Sequence, residues 1–136
     1  MTLFIDASAI VAVIAEEEDA AIYAGRIAED DQRLTSAIAI WEATIAVARR
    51  GRTSIEDAAE AVRGYVAGSS FGMVAIQERE TLIAIDAFAR YGKGVDRAGL
   101  NMGDCFAYAC AKANHARLLY KGKDFDLTDL AWSDNA

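Results

Sequence analysis

The stretch LFIDASAIVAVIA, residues 3–15, decides the fold that this sequence predicts. Its first part, Leu3–Ile5, is an apolar run of the length of a short buried strand, and Ala7–Ala15 is an apolar stretch that favours a buried helix. Only Asp6 and Ser8 are polar in the whole stretch. A buried strand that leads directly into a helix is typical of a βα unit, the repeating piece of a parallel sheet.

The same alternation of short apolar runs and longer helical patterns continues along the chain. Further strands are predicted at Leu34–Ser36, Met73–Ile76 and Arg117–Tyr120, and helices at 20–28, Ile38–Arg50, Ile55–Val66, Thr81–Tyr91 and Asn101–Ala113. The chain contains no proline and no Ser/Gly-rich linker, and it shows no repeat of solenoid length. We therefore predict one α/β domain over residues 1–136, with three layers (α/β/α) and a central parallel β-sheet.

The helix predicted over Ile38–Arg50 carries an apolar row at the spacing of one helical face. The row consists of Ile38, Trp41, Ile45 and Ala48. We therefore expect Trp41 to pack in the core, with stacking of its ring on an RNA base as the alternative. Gly51 is expected to end this helix.

The composition argues against a protein that attracts nucleic acid through its overall charge. The chain of 136 residues is 54% hydrophobic and carries 21 acidic residues against 14 basic ones, for a net charge of -7. Because this charge repels phosphates, an RNA ligand would need another source of positive charge, such as a bound divalent cation. The acidic runs Glu16–Asp19 and Glu29–Asp31 are predicted to be solvated faces.

The sequence shows no sign of export or of a membrane segment. Asp6 interrupts the apolar start of the chain, and no Lys or Arg precedes it as in a signal peptide. Charged residues break every apolar run well before the ~18 residues of a membrane-spanning helix. Cys105 and Cys110 match neither a CxxC motif nor a zinc site, so they are predicted to be reduced core thiols. We expect a cytoplasmic protein with no membrane partner.

Asp6 is the polar residue whose position most needs an explanation. It lies where the first strand passes into the first helix, and burial of a lone charge there would cost several kcal/mol. Three features could offset this cost: a raised pKa, a helix amino terminus with the Ser8 hydroxyl nearby, or a metal ion. Simple capping of the helix is an equally good interpretation of Asp6 taken alone.

Three further acids are predicted to lie near Asp6. Glu42 lies at the margin of the apolar row of its helix, where a salt bridge to Arg49 or to a neighbouring helix is the alternative. Asp104 lies in the first turn of its helix and Asp124 in the turn after the last strand, and each position is ordinary by itself. All four acids are expected to converge at the carboxyl edge of the sheet. Such a cluster without Cys or His favours Mg²⁺ or Mn²⁺, which can activate water and orient a phosphodiester.

Several segments of the sequence together resemble the VapC toxins of the PIN-domain family. They are Phe4–Ser8, Glu42, Asn101–Ala109, and Lys121–Phe125 with Thr128–Asp129. The resemblance implies a PIN-like domain with a Mg²⁺ or Mn²⁺ site formed by Asp6, Glu42, Asp104 and Asp124, supported by Ser8. By the same resemblance, metal-activated water hydrolyses RNA phosphodiester bonds and leaves 5′-phosphate and 3′-hydroxyl ends. A homodimer and a cognate VapB-like antitoxin, which inserts a segment into the site, are implied as well.

The region around the fourth acid leaves two points open. Asp126 and Asp129 lie close to Asp124 in the sequence, and either could take its place at the metal. Lys121 and Lys123 bracket Asp124, so they are the bases that we expect to contact RNA.

The sequence therefore predicts an endoribonuclease toxin, and two alternatives remain. One is a catalytically silent PIN-like module that binds a basic partner segment in its acidic pocket. The other is a phosphoryl-transfer domain in which Asp6 is the nucleophile. The second alternative is disfavoured because Ser8 stands where a second Asp would be expected.

Overall fold

Four strands and six α-helices make up residues 1–134, the part of the chain that the computed structural model describes; the last two positions of the predicted 1–136 domain lie outside the described residues. The strands are β1 (Thr2–Ile5), β2 (Gln32–Ser36), β3 (Gly72–Val74) and β4 (Arg117–Leu119). The helices are α1 (Ala7–Ile14), α2 (Ala20–Glu29), α3 (Ala37–Gly51), α4 (Ile55–Gly68), α5 (Glu78–Tyr91) and α6 (Met102–Ala113). A short 3₁₀ helix, Asp124–Leu127, follows β4.

The strands form one parallel sheet in the order β3-β2-β1-β4. Within this sheet, Phe4 of β1 pairs with Leu34 of β2 on one side and with Leu118 of β4 on the other. Leu3 and Ile5 belong to a core shared with α1, α3 and α4, whereas Phe4 belongs to a second core shared with α5 and α6. Helices therefore cover both faces of the sheet, which confirms the predicted three-layer α/β/α architecture.

Three helices begin near the same edge of the sheet, each with a polar capping residue. The Asp6 carboxylate follows β1 directly and accepts a hydrogen bond from the Ser8 backbone at the start of α1. Ser36 ends β2, and its hydroxyl accepts from a backbone N–H in the first turn of α3. Asn101 and Asp104 form a reciprocal capping box at the start of α6. The amino termini of these helices carry partial positive charge.

The prediction for α3 was wrong in two details. Trp41 is 63% exposed and does not pack in the core; the buried side of the helix consists of Ala39, Ala43, Thr44, Val47 and Ala48. Most positions of α3 are apolar, so several faces satisfy the helical spacing, and packing against α1 and α4 selects the face with small side chains. The helix includes Gly51 and is capped by Arg52 in the left-handed conformation (φ 50°, ψ 45°).

Smaller differences of one to three residues concern several element boundaries, of which those of β3 and α5 are examples. Strand β3 ends at Val74 rather than at Ile76. Helix α5 begins before the predicted Thr81, because the Glu80 carboxylate accepts the backbone N–H of Gln77 at 2.8 Å and stabilises an earlier first turn.

Two other predictions concern the cysteines and the membrane. Cys105 and Cys110 are free and buried, which confirms them as core thiols. Within residues 1–134, none of the helices combines the length and the apolar character needed to cross a membrane.

Candidate active site

A cavity of about 450 Å³ opens where β1 ends and α1 begins. Four carboxylates line it: Asp6 after β1, Glu17 from the loop after α1, Glu42 from α3 and Asp104 from α6. The remaining polar side chains that line the cavity are those of Ser8, Arg50 and Lys121. Three of the four acids predicted from the sequence therefore share one cavity.

Asp6 is both the cap of α1 and a wall of this cavity. Its Oδ2 accepts hydrogen bonds from the Ser8 backbone N–H at 3.0 Å and from the Ser8 hydroxyl at 2.6 Å. Burial raises the pKa of Asp6, and the two bonds from Ser8 oppose that rise. The Ser8 hydroxyl oxygen also accepts the backbone N–H of Lys121 at 2.9 Å. Ser8 thus links the carboxylate to the chain that follows β4.

Glu42 and Asp104 are partly buried carboxylates with strongly raised pKa values. Burial, followed by the negative charges of Asp6 and Asp104, raises the pKa of Glu42 to about 7. Burial is also the largest cause that raises the pKa of Asp104 to about 6, although its hydrogen bond from the Asn101 backbone opposes the rise. The alternative salt bridge between Glu42 and Arg49 does not occur among the ion pairs of residues 1–134.

Gly103 supports the Glu42 carboxylate, a role that the sequence analysis missed. A Cβ atom placed on Gly103 would overlap the carboxyl carbon and both carboxyl oxygens of Glu42. Only a residue without a side chain allows α6 to approach the Glu42 carboxylate this closely. The sequence signal for this role was a glycine just inside a helix, next to a candidate acid.

Asp124 lies at the margin of the cavity rather than in its lining. It is exposed at the start of the 3₁₀ helix, yet its charge contributes to the raised pKa of Asp6 and of Asp104. The two alternatives to it are engaged elsewhere. Asp126 accepts a hydrogen bond from the Tyr120 hydroxyl at 2.5 Å. Asp129 accepts from the Tyr108 hydroxyl at 2.6 Å and from Lys112 at 2.5 Å.

The cations near the cavity are paired with acids of the loop between α1 and α2. Arg50 donates to Glu17, and Lys121 Nζ lies 2.9 Å from Asp19 Oδ1 and 3.5 Å from Glu17 Oε2. The hydrogen bond from Lys121 lowers the pKa of Asp19. Glu17 was expected on a solvated face, but its side chain is only 22% exposed and lines the cavity. Lys123 is exposed and does not line it.

The donor chemistry of the cavity suits a hard divalent cation. Its lining offers carboxylate and hydroxyl oxygens and neither Cys nor His, as Mg²⁺ and Mn²⁺ prefer. Burial is the largest cause that raises the pKa of Glu42 and of Asp104, and the charges of neighbouring carboxylates add to it, so a cation that stabilises the charged forms would be favoured here. In the described part of the chain, however, no three Asp, Glu, His or Cys side chains are already grouped closely enough to hold one ion. Binding would therefore draw the carboxylates together.

Comparisons with known proteins point to one family. The PIN domain family matches residues 3–130. The ribonuclease VapC of Mycolicibacterium smegmatis is 39% identical over 129 residues, which cover 95% of this chain and 98% of that protein. VapC20 of Mycobacterium tuberculosis, described as a sarcin-ricin loop cleaving toxin, has the same fold with a TM-score of 0.74 at 16% identity, over 92% of this chain and 93% of that one. A toxin-antitoxin complex from Klebsiella pneumoniae contains a chain with a TM-score of 0.69 at 17% identity, over 98% of this chain and 97% of that one.

Proposed function

Since this chain belongs to the PIN-domain family, and within it to the VapC ribonucleases, we propose that it is an endoribonuclease that acts as the toxin of a toxin-antitoxin pair. The proposal rests on one observation: the carboxylates of Asp6, Glu42 and Asp104 come from three separate elements and line the same cavity. We take residues 1–136 as one catalytic domain and place its activity in the cytoplasm.

The proposed cofactor is Mg²⁺ or Mn²⁺, held by Asp6, Glu42 and Asp104 with Asp124 as the fourth acid. The donor set supports a hard cation, and the crowded carboxylates give the reason why a cation would bind. When bound, such an ion lowers the pKa of water and neutralises charge that develops on a phosphodiester.

The side chains of the protein have distinct proposed roles in hydrolysis. Ser8 holds Asp6 in place through two hydrogen bonds to Oδ2. Glu42 would hold the ion, and its pKa, about 7 in the absence of a cation, would fall when the ion binds because the cation stabilises the charged carboxylate. Lys121 is the nearer of the two lysines to the site and would contact an RNA phosphate there, and Lys123 would contact RNA outside the cavity.

We propose a VapB-like antitoxin as the protein partner. A carboxylate-lined cavity fits a basic segment, because arginine donates paired hydrogen bonds to carboxylates. The kinship to VapC proteins and the likeness in fold to a chain of a toxin-antitoxin complex support this partner.

A second copy of the chain is the other proposed partner. Two apolar grooves meet at Met102; one includes Trp41 and the other includes Ile85 and Phe88. Trp41, Ile85 and Met102 are each more than half exposed. Exposed apolar surface of this kind marks interfaces, and an uncharged patch can pair with itself across a two-fold axis. We therefore propose this surface as the homodimer interface.

The nuclease proposal is tested by incubating the purified chain, freed of any partner, with total RNA and Mg²⁺ or Mn²⁺. Discrete fragments with 5′-phosphate ends are expected, and both EDTA and Asp6→Asn should abolish them. Asp31→Asn is the matched control because Asp31 is an exposed acid at the opposite end of β2. Unchanged cleavage by a folded Asp6→Asn protein would contradict the proposed site.

One observation favours a silent binding module as the second candidate. The acids of the described chain are not grouped as a ready metal site. Intact RNA, no Mn²⁺ binding by calorimetry and tight binding of a basic partner segment would together support this candidate over the nuclease.

A further inference from the structure

Glu17 lies between two cations that line the cavity, as an anionic ligand would. Its Oε2 accepts from Arg50 and lies 3.5 Å from Lys121 Nζ. Arg50 belongs to α3, Lys121 follows β4, and Glu17 belongs to the loop between α1 and α2. One carboxylate oxygen thus joins cations from two distant parts of the chain.

The other oxygen of Glu17 is poorly satisfied. Glu17 Oε1 is buried and has no hydrogen-bond partner among residues 1–134. A buried acceptor without a donor costs free energy. The Arg50 side chain is about half exposed, so its ion pair with Glu17 returns only part of this cost. The position of Glu17 is therefore poorly explained by stability alone.

Arg50 and Lys121 are the cations that line the cavity, and its other charged side chains are carboxylates. An RNA phosphate that enters the cavity would meet repulsion from the acids and attraction from these two side chains. Arginine binds phosphate through paired hydrogen bonds, and lysine binds it as a point charge. Both side chains are already engaged by Glu17 and Asp19, so a phosphate has to compete for them.

Resting on the proposed ribonuclease function, we propose that Arg50 and Lys121 form a phosphate-binding pair and that Glu17 is an internal competitor which the RNA phosphate displaces. The competitor lowers the affinity of the cavity for any RNA backbone, because phosphate contacts carry no sequence information. Contacts to the bases then account for a larger share of the affinity, and the protein distinguishes more strongly between RNA sequences.

The test measures RNA binding in the Asp6→Asn background, so that the probe is not cleaved. Fluorescein-labelled polyuridylate is titrated with each variant in Mg²⁺ buffer at several salt concentrations, and anisotropy gives the dissociation constant. Glu17→Gln is expected to tighten binding about threefold to tenfold, the range of one or two exposed ion pairs. The dependence on salt should steepen by about 0.7 for each additional phosphate that the protein neutralises.

Glu18→Gln is the matched control. It removes the same charge from the same loop, but Glu18 is exposed and forms no ion pair within residues 1–134. Addition of Arg50→Gln should reduce the gain in affinity that Glu17→Gln produces, because the arginine that Glu17→Gln frees for the phosphate is then absent. Circular dichroism checks that each variant is folded. If Glu17→Gln does not fold, Glu17→Asp replaces it, because the shorter side chain holds Arg50 less closely and should also tighten binding. Lys121→Gln tests the phosphate-binding pair and is expected to weaken binding.

The outcomes separate the competitor, the phosphate-binding pair and the nuclease proposal. Equal effects of Glu17→Gln and Glu18→Gln would overturn the competitor and leave the nuclease proposal intact. No loss of binding in Lys121→Gln would overturn the phosphate-binding pair together with the RNA contact proposed for Lys121. Polyuridylate that fails to bind any folded variant would also overturn the phosphate-binding pair, because phosphate contacts do not depend on sequence, whereas the cleavage of total RNA decides the nuclease proposal. The competitor is established if Glu17→Gln binds polyuridylate more tightly, Glu18→Gln does not, and the gain is lost when Arg50→Gln is added.

Discussion

Replacement of Gly103 by alanine is expected to disable the cavity by displacing Glu42. A methyl group at position 103 would overlap the Glu42 carboxylate, whereas ordinary contacts of a Cβ atom begin at 3.4 Å. The carboxylate therefore has to retreat by about 1 Å or more, and a displacement of this size can cost on the order of 100-fold in rate. We expect RNA cleavage by Gly103→Ala to fall by about that factor, measured as kcat/KM on a labelled fragment substrate.

The same substitution is expected to leave the fold as stable as before. The atoms that must move lie at the end of a flexible side chain, and alanine is more favourable than glycine inside a helix by about 0.5–1 kcal/mol. Urea denaturation should therefore give a free energy of unfolding no lower than that of the parent chain. Loss of activity and retained stability together separate displacement of Glu42 from general damage.

Gly64 in α4 provides the matched control, because a Cβ atom there meets nothing within 4 Å. Gly64→Ala should keep full cleavage. Glu42→Asp shortens the acid and leaves room for the methyl group, so Gly103→Ala should cost less in that background than in the parent chain. Full cleavage by a folded Gly103→Ala protein would refute the reasoning, since the carboxylate would then not be needed where it lies.

The charges and contacts of the cavity predict the behaviour of other variants. Without divalent ions, the Tm should fall as pH rises from about 4 to about 8. The folded-state pKa values of Glu42 (about 7) and Asp104 (about 6) lie above the ordinary 4.5 and 3.8, so folding favours the protonated carboxyls. In calorimetry, the Tm of Glu42→Gln should therefore depend less on pH than the Tm of the parent chain. Mn²⁺ should raise the Tm more at pH about 8 than at pH about 5, where protons compete for the carboxylates. A rise of equal size in Asp6→Asn would contradict Asp6 as a ligand of the ion. Ser8→Ala should lower the free energy of unfolding, measured by urea denaturation, by about 1–3 kcal/mol, because Asp6 loses a hydroxyl donor. An unchanged value would show that the hydrogen bond from the backbone N–H at position 8 is enough to stabilise the Asp6 carboxylate. Met102→Glu should convert a dimer to a monomer in light scattering with unchanged helix content, and an unchanged mass would exclude this surface as the interface.

The elements around the cavity were predictable because their signals are local. A short apolar run followed by Asp6 marks both the end of β1 and the start of α1, and Asn101 with Asp104 marks the start of α6. Once the elements are parallel strands and following helices, topology brings their ends to one edge. The acids of the site could therefore be proposed from sequence position.

The support around these acids depends on contacts between distant segments. Glu17 and Arg50 are 33 residues apart, and Asp19 and Lys121 are 102 residues apart. A run of acids in a loop gives no sign of which member will turn inward, so the whole run was assigned to solvent. The role of Gly103 likewise depends on how closely α6 approaches α3, and apolar spacing does not specify that distance. Trp41 was misassigned for the related reason that α3 is apolar on several faces.

Burial is the largest cause that raises the pKa of Asp6, Glu42 and Asp104, and the position of each acid decides whether backbone hydrogen bonds oppose that rise. Asp6 and Asp104 both accept backbone hydrogen bonds at helix amino termini, and these bonds oppose the effect of burial. Glu42 lies further along α3, and every cause that shifts its pKa raises it. Glu42 is therefore an acid whose charge gains from a cation, and it is the one whose carboxylate Gly103 leaves room for. Glu42→Gln should for this reason raise the Tm without metal at pH about 8, and an unchanged Tm would show that the charged Glu42 carboxylate does not destabilise the fold.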